Sequence, residues 1–240
     1  MNLFNIKSIV IFLSLLLLIS CGSSSSEESP TKEPTAPIPT NPIAIELEHR
    51  GIIVTFFWVG EESSTDNGFI HNIASAWDAT WMDSYGGEDT PYDRDGYYPT
   101  GFTPNENPFY YALPYNDLYW NGKPKENRIS VIPWATEDDN PKETICKNRW
   151  IKIAKDDKVA YAQWEDVGPF ESDDVDYVFG NSAPLNNEIA GAGLDVSPAV
   201  RDYLELNDVD SVDWEFIDEK DIPAGPWKDI ITTTNVNWSN

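Results

Sequence analysis

The sequence predicts a small, mainly β barrel carried by the chain from about residue 46 to 240, and three observations predict it. Several short runs rich in β-branched and aromatic residues recur between turn-forming residues. One hairpin, Arg149 to Trp164, alternates apolar and polar positions around a charged turn. A single clear helix follows late in the chain, at Ser197-Pro198. Many short strands with one late helix fit a barrel better than a parallel α/β sheet. No internal repeat is visible.

The elements follow in order. Ile52 to Val59, IIVTFFWV, reads as a buried first strand. Residues 61 to 105 are crowded with Gly, Asp, Trp and Tyr and lack strand alternation. Ala74 to Met82 predicts a short helix there, and the remainder reads as a long acidic, aromatic loop of the functional kind. Asn107 to Leu118 reads as a strand running into a turn. Asn127 to Trp134 reads as a further short strand ended by Pro133. In the hairpin, Arg149–Ile153 and Val159–Trp164 flank a turn at Lys155-Asp156-Asp157-Lys158. Ser197 caps the helix with Pro198 at its first position, and Val200, Tyr203 and Leu204 share a face. Val212, Trp214 and Phe216 alternate with Asp213 and Glu215 as a last strand.

Composition narrows the function. The chain of 240 residues carries 16 basic and 41 acidic side chains, a formal charge of −25. Nucleic-acid affinity comes largely from basic groups meeting phosphates, so no nucleic-acid partner is expected. Uncharged polymers stay open as ligands, and an acidic surface also serves plain solubility. His49 and His71 are the only histidines, and neither has metal-ligand spacing with Cys146. Asp93-Arg94-Asp95-Gly96 shares the start of a calcium loop without its remaining spacing. No cofactor and no metal site are expected.

The first twenty residues form a segment apart. Lys7 precedes an apolar run from Ile9 to Ile19 that is short for a membrane span and suits a secretory signal. Leu18-Ile19-Ser20-Cys21 resembles the lipobox of bacterial lipoproteins. That resemblance makes residues 1–20 a signal peptide and Cys21 the lipidated first residue, with an uncleaved anchor as the alternative. The protein is then expected on the outer membrane or cell surface, held to the membrane through its lipid, with the domain periplasmic or extracellular. Residues 21–45, rich in Ser, Pro, Glu and Thr, hold too few large apolar side chains to fold and read as a tether. With Cys21 committed to lipid, Cys146 has no partner and no intrachain disulfide is expected.

Three segments then carry a family likeness. Trp164-Glu165-Asp166-Val167-Gly168-Pro169-Phe170 closes the hairpin, Leu194-Asp195-Val196-Ser197-Pro198 opens the helix, and Val212 to Asp218 forms the last strand. In this order they resemble the double-psi β-barrel of rare lipoprotein A, the expansins and the barwin-like endoglucanases. Val54-Thr55-Phe56-Phe57 and Ala112-Leu113-Pro114-Tyr115 resemble upstream segments of the same group. The resemblance implies a six-stranded double-psi β-barrel with one or two short helices, interrupted by an insertion at about 61–105.

What the resemblance implies for function is a groove that binds a polysaccharide, peptidoglycan or a β-glucan. Cleavage would be of the lytic transglycosylase or endoglucanase type. Asp195 matches the essential aspartate of the expansins and endoglucanases, and Asp166 matches one important in rare lipoprotein A. Each also has a structural reading, Asp195 ordering a helix start and Asp166 forming a turn. Thr55 matches a small polar residue lining the expansin groove. Tyr110 stands where the transglycosylases place a histidine. The second acid that endoglucanases carry after the first strand is missing, since Val59 follows Trp58 and the nearest acids are Glu61 and Glu62. Glu61 is a candidate for the missing base, and Glu165 is expected on the opposite side of its strand, facing solvent. Trp58, Trp77, Trp81 and Trp120 are candidate platforms for sugar rings, with the core as the alternative for each. A non-catalytic, expansin-like binding module and a structural scaffold are the competing functions.

Overall fold

A computed structural model of the chain describes residues 47–65, 67 and 70–235. The expected signal peptide, Cys21 and the 21–45 tether lie outside the described residues. Eight strands and four α-helices occur in chain order among them: β1 (His49–Phe56), α1 (Trp81–Tyr85), β2 (Arg94–Asp95), β3 (Tyr98–Pro99), β4 (Tyr110–Leu113), α2 (Arg128–Val131), β5 (Trp150–Lys155), β6 (Lys158–Val167), α3 (Val175–Val178), β7 (Leu194–Val196), α4 (Pro198–Leu204) and β8 (Asp210–Ile217). Six strands close into a barrel in the order β1-β7-β4-β6-β5-β8, and β2 and β3 form a separate two-stranded ribbon. The fold is therefore the mainly β, six-stranded barrel with few short helices that the sequence predicts. Among the described residues, no helix is long and apolar enough to cross a membrane.

Pairing is mixed. β1 runs parallel to β7, and β4 runs parallel to β6. The β4–β7, β5–β6, β5–β8 and β1–β8 contacts are antiparallel. The β5–β6 hairpin forms where expected, with Lys155 opposite Lys158 across a two-residue turn. Asp156 there has φ 53°, the left-handed conformation that such tight turns require. In α4, the Ser197 hydroxyl accepts a hydrogen bond from the Val200 amide at 3.3 Å and Pro198 is the first helical residue.

The barrel interior is apolar. Val54, Tyr111, Leu113, Ile151, Trp164, Leu194, Val196 and Trp214 belong to one buried cluster. Cys146 is buried beside it as a free thiol. β4 is buried on both faces, because its Tyr110 and Ala112 point outward into a second cluster with Phe57, Val59, Trp81 and Tyr85. That second cluster is the underside of the 61–105 insertion, so the insertion is an ordered wall with its own small core.

Three local expectations are corrected. The insertion's helix spans Trp81–Tyr85 instead of Ala74–Met82. The Ser75 hydroxyl accepts from the Trp77 and Asp78 amides, and Asp78 Oδ1 accepts from the Thr80 amide, so 75–80 is a chain of side-chain turns. Within residues 127–134, where a strand is expected, Arg128–Val131 form α2. Arg128 and Ile132, four apart, are both buried, and Arg128 pairs with the fully buried Asp117 at 3.5 Å. Glu165 is buried rather than solvated and forms an ion pair with Lys147.

Candidate functional site

Strand register assembles the site. Thr55 on β1 pairs with Asp195 on β7, Asp195 pairs with Ala112 on β4, and Ala112 pairs with Asp166 on β6. Cross-strand partners share a face, so these four residues form one row across the outside of the barrel. Two strand spacings of about 4.8 Å separate the Asp195 and Asp166 backbones by about 10 Å. Ala112, with its small side chain, is the floor between them.

Asp166 reaches this row because of a register shift. Tyr111 pairs with Trp164, both in the barrel interior, yet the next residue, Ala112, pairs with Asp166. Strict alternation would send Asp166 inward with Trp164. The extra residue, Glu165, shifts the parity, and Asp166 emerges on the outer face with Ala112.

The three carboxylates here have unlike environments. The Thr55 hydroxyl donates to Asp195 Oδ1. Gly168 lies beside Oδ2, and an added Cβ would meet that oxygen in van der Waals contact at 3.7 Å. Burial pushes the Asp195 carboxyl up to about 7, against the Thr55 hydrogen bond and with help from the Glu61 charge. Asp166 is only 8% exposed. Its Oδ1 accepts from the Ala76 and Val167 amides, both at 2.7 Å, which ties the insertion to β6. Burial also pushes Asp166 up to about 7, opposed by those two amides and aided by the Asp195 charge. Glu61 is buried against Asn72, whose side-chain amide donates to Oε2 at 2.8 Å, and burial raises its pKa too.

All three acids line one open groove of about 540 Å³. Thr55, Ala112 and Gly168 form part of its base, and the insertion and the segment after β6 form its sides. Trp58 lines it, half-buried, with its ring near-parallel to Phe56 at 5.9 Å and edge-on to Tyr92 at 6.1 Å. Tyr92 is 84% exposed, and Phe170 is an exposed aromatic on the other wall. The arrangement offers proton-donating carboxyls beside flat apolar rings, the combination a sugar chain needs.

The structure brings Asp195, Asp166, Thr55, Trp58 and Glu61 together and leaves the other candidates elsewhere. Trp77, Trp81 and Tyr110 are each 1% exposed and have no face for a ligand. Trp77 packs edge-on to Trp164 and donates to Asn116 Oδ1 at 2.9 Å. Trp81 donates to Glu106 at 3.2 Å. Tyr110 donates to Asp89 Oδ2 at 2.9 Å and accepts from the Val59 amide at 3.0 Å, so this tyrosine fastens the insertion to the barrel. Trp120 is exposed on a turn closed by the Leu118–Pro124 bridge and does not line the groove.

Sequence reasoning missed Tyr92, Phe170 and Asp208, which also line the groove. Phe170 stood next to the quoted Gly168-Pro169 turn, a signal that could have found it. The Asp93–Gly96 stretch forms the tip of the β2–β3 ribbon, where Arg94 binds Asp89 at 2.6 Å. No cluster of described residues could hold a metal ion. Comparison of the chain with protein-family models, with curated proteins and with solved structures finds no match to any of them.

Proposed function

We propose that this groove binds a polysaccharide, peptidoglycan or a β-glucan, and that Asp195 is the acid that would protonate a glycosidic oxygen there. The observation that supports it is the row Thr55–Asp195–Ala112–Asp166 lining the groove beside Trp58 and Tyr92. A carboxyl titrating near 7 is still substantially protonated at neutral pH, as a general acid must be. Glycoside hydrolysis asks for a second carboxylate, and Asp166 and Glu61, with Asp208 on the rim, lie within the same groove. An envelope lipoprotein anchored through Cys21 would present such a groove to cell-wall or extracellular glycans.

A specific observation favours a second reading, a non-catalytic expansin-like module. Asp166 commits one oxygen to two backbone amides, which gives it a structural task. Incubating the protein with peptidoglycan sacculi and with β-glucans separates the readings. Soluble fragments that vanish in Asp195→Asn support the acid, and fragments that persist in that variant sink it. Retention on insoluble glycan without fragments supports the binding module.

A further inference from the structure

Elsewhere in the fold, some buried or partly buried carboxylates meet cations, whereas Asp78, Glu106 and Asp174 meet only neutral donors. Asp89 has Arg94 at 2.6 Å, Asp117 has Arg128 at 3.5 Å, Glu165 has Lys147, and Asp210 has Lys155 at 2.6 Å. The groove concentrates acids without any cation. Glu61, Asp166, Asp195 and Asp208 line it, and no described Lys, Arg or His does. Arg201 lies over the Phe56 ring at 4.5 Å, but its guanidinium is engaged by Asp202 at 2.8 Å.

A second observation points the same way. Asp166, more than nine-tenths buried, lines the groove with an Oδ2 that takes no hydrogen bond from a described residue, while Oδ1 takes two. That oxygen is not sealed in the fold and stays open to a donor arriving in the groove. Around the acids, Ile70, Tyr92, Phe170, Ile189 and Val209 are large apolar residues left exposed, and all five line the groove. Carboxylates within an apolar, aromatic rim match a ligand that brings ammonium groups on rings with flat C–H faces. They would repel a polymer carrying carboxylates of its own.

We infer that the groove selects a glycan bearing free, protonated amines, such as a run of unacetylated 2-amino sugars, over neutral or acidic chains. The inference rests on the polysaccharide reading of the same groove. The amines supply the cations that its carboxylates lack, and the rings lie against Trp58 and Tyr92.

Calorimetric titration of the full chain with three tetrasaccharides tests it: β-1,4-linked glucosamine, the same oligomer fully N-acetylated, and cellotetraose. Near pH 6 and at low ionic strength, the glucosamine tetramer is expected to bind at least about tenfold more tightly than either other. The advantage should shrink with added salt. Binding should release protons, because an ammonium draws Asp166 and Asp195 into their ionised forms. Asp208→Asn, on the exposed rim, should cut the advantage by about threefold. Glu61→Gln tests the buried acid in the same way. Equal binding of all three sugars overturns the amine selectivity while the glycan reading stands. No binding by any of them overturns both.

Discussion

Glu165 and Asp166 are neighbours in the chain, and the fold treats them in opposite ways. Glu165 is sealed with Lys147, both almost fully buried, in a polar pocket that Glu106 and Thr232 help to close. Asp166 turns outward one residue later, takes two backbone amides on one oxygen and meets no cation. The difference teaches what burial means for an acid here. A buried carboxylate with a lysine is held in the structure, and one left without a cation at the edge of a groove stays free to take a proton or a ligand.

The largest effect should come from breaking the sealed pair. Lys147→Met strands the Glu165 charge and is expected to destabilise the fold by about 3–5 kcal/mol, read as a lower denaturant midpoint. Replacing both, as Lys147→Met with Glu165→Leu, should recover most of that loss, because a matched apolar pair leaves no orphan charge. Asp166→Ala comes next. It deprives the Ala76 and Val167 amides of their acceptor, a loss of about 2–4 kcal/mol. Asp166→Asn keeps an acceptor oxygen and should lose less than about 1 kcal/mol. If the two Asp166 variants match, the tie between the insertion and β6 is not what the carboxylate provides.

The pH dependence sharpens the contrast. Asp166 and Asp195 titrate near 7 in the folded chain and near 3.9 unfolded. Between those values the folded state holds protons that the unfolded state has lost. Stability from these groups is therefore complete below about pH 4 and falls as pH rises to about 7. His49, stacked on Trp214 and pushed down to about 4 by burial, acts in the opposite direction over part of that range. Subtracting the profile of Asp195→Asn from that of the parent cancels His49. The variant should gain on the parent by up to a few kcal/mol between pH 4 and 8, and a flat difference would mean that Asp195 titrates as an ordinary acid.

Legibility followed the range of the interactions. The β5–β6 hairpin and the Ser197-Pro198 helix start are local, set by Asp156-Asp157 and by a hydroxyl three residues from its amide, and the sequence alone predicts both. Arg128 misled because its burial depends on Asp117, a partner eleven positions away, and a strand pattern was read where a helical turn forms. Tyr110 is legible as a strand residue, but its bond to Asp89 needs the insertion folded back over β4. Asp195 and Asp166 were both identified, yet their placement on one row depends on the register shift at Glu165, which no periodicity in β6 announces. Glu61 joins them only through the path of the insertion.

The smallest predicted effect discriminates among the exposed aromatics. Trp58 and Trp120 are both tryptophans with accessible rings, and only Trp58 lines the groove. Trp58→Ala removes one ring of the Phe56–Trp58–Tyr92 array and should weaken oligosaccharide binding by about 1 kcal/mol, roughly fivefold, in a titration. Because neither ring is in the main core, both alanine variants should keep their thermal midpoints within a few degrees of the parent. Trp120→Ala should leave binding unchanged. Should Trp120→Ala weaken binding as much as Trp58→Ala, the sugar chain would extend to the Leu118–Pro124 turn, and the carboxylate groove would be only one part of a longer track.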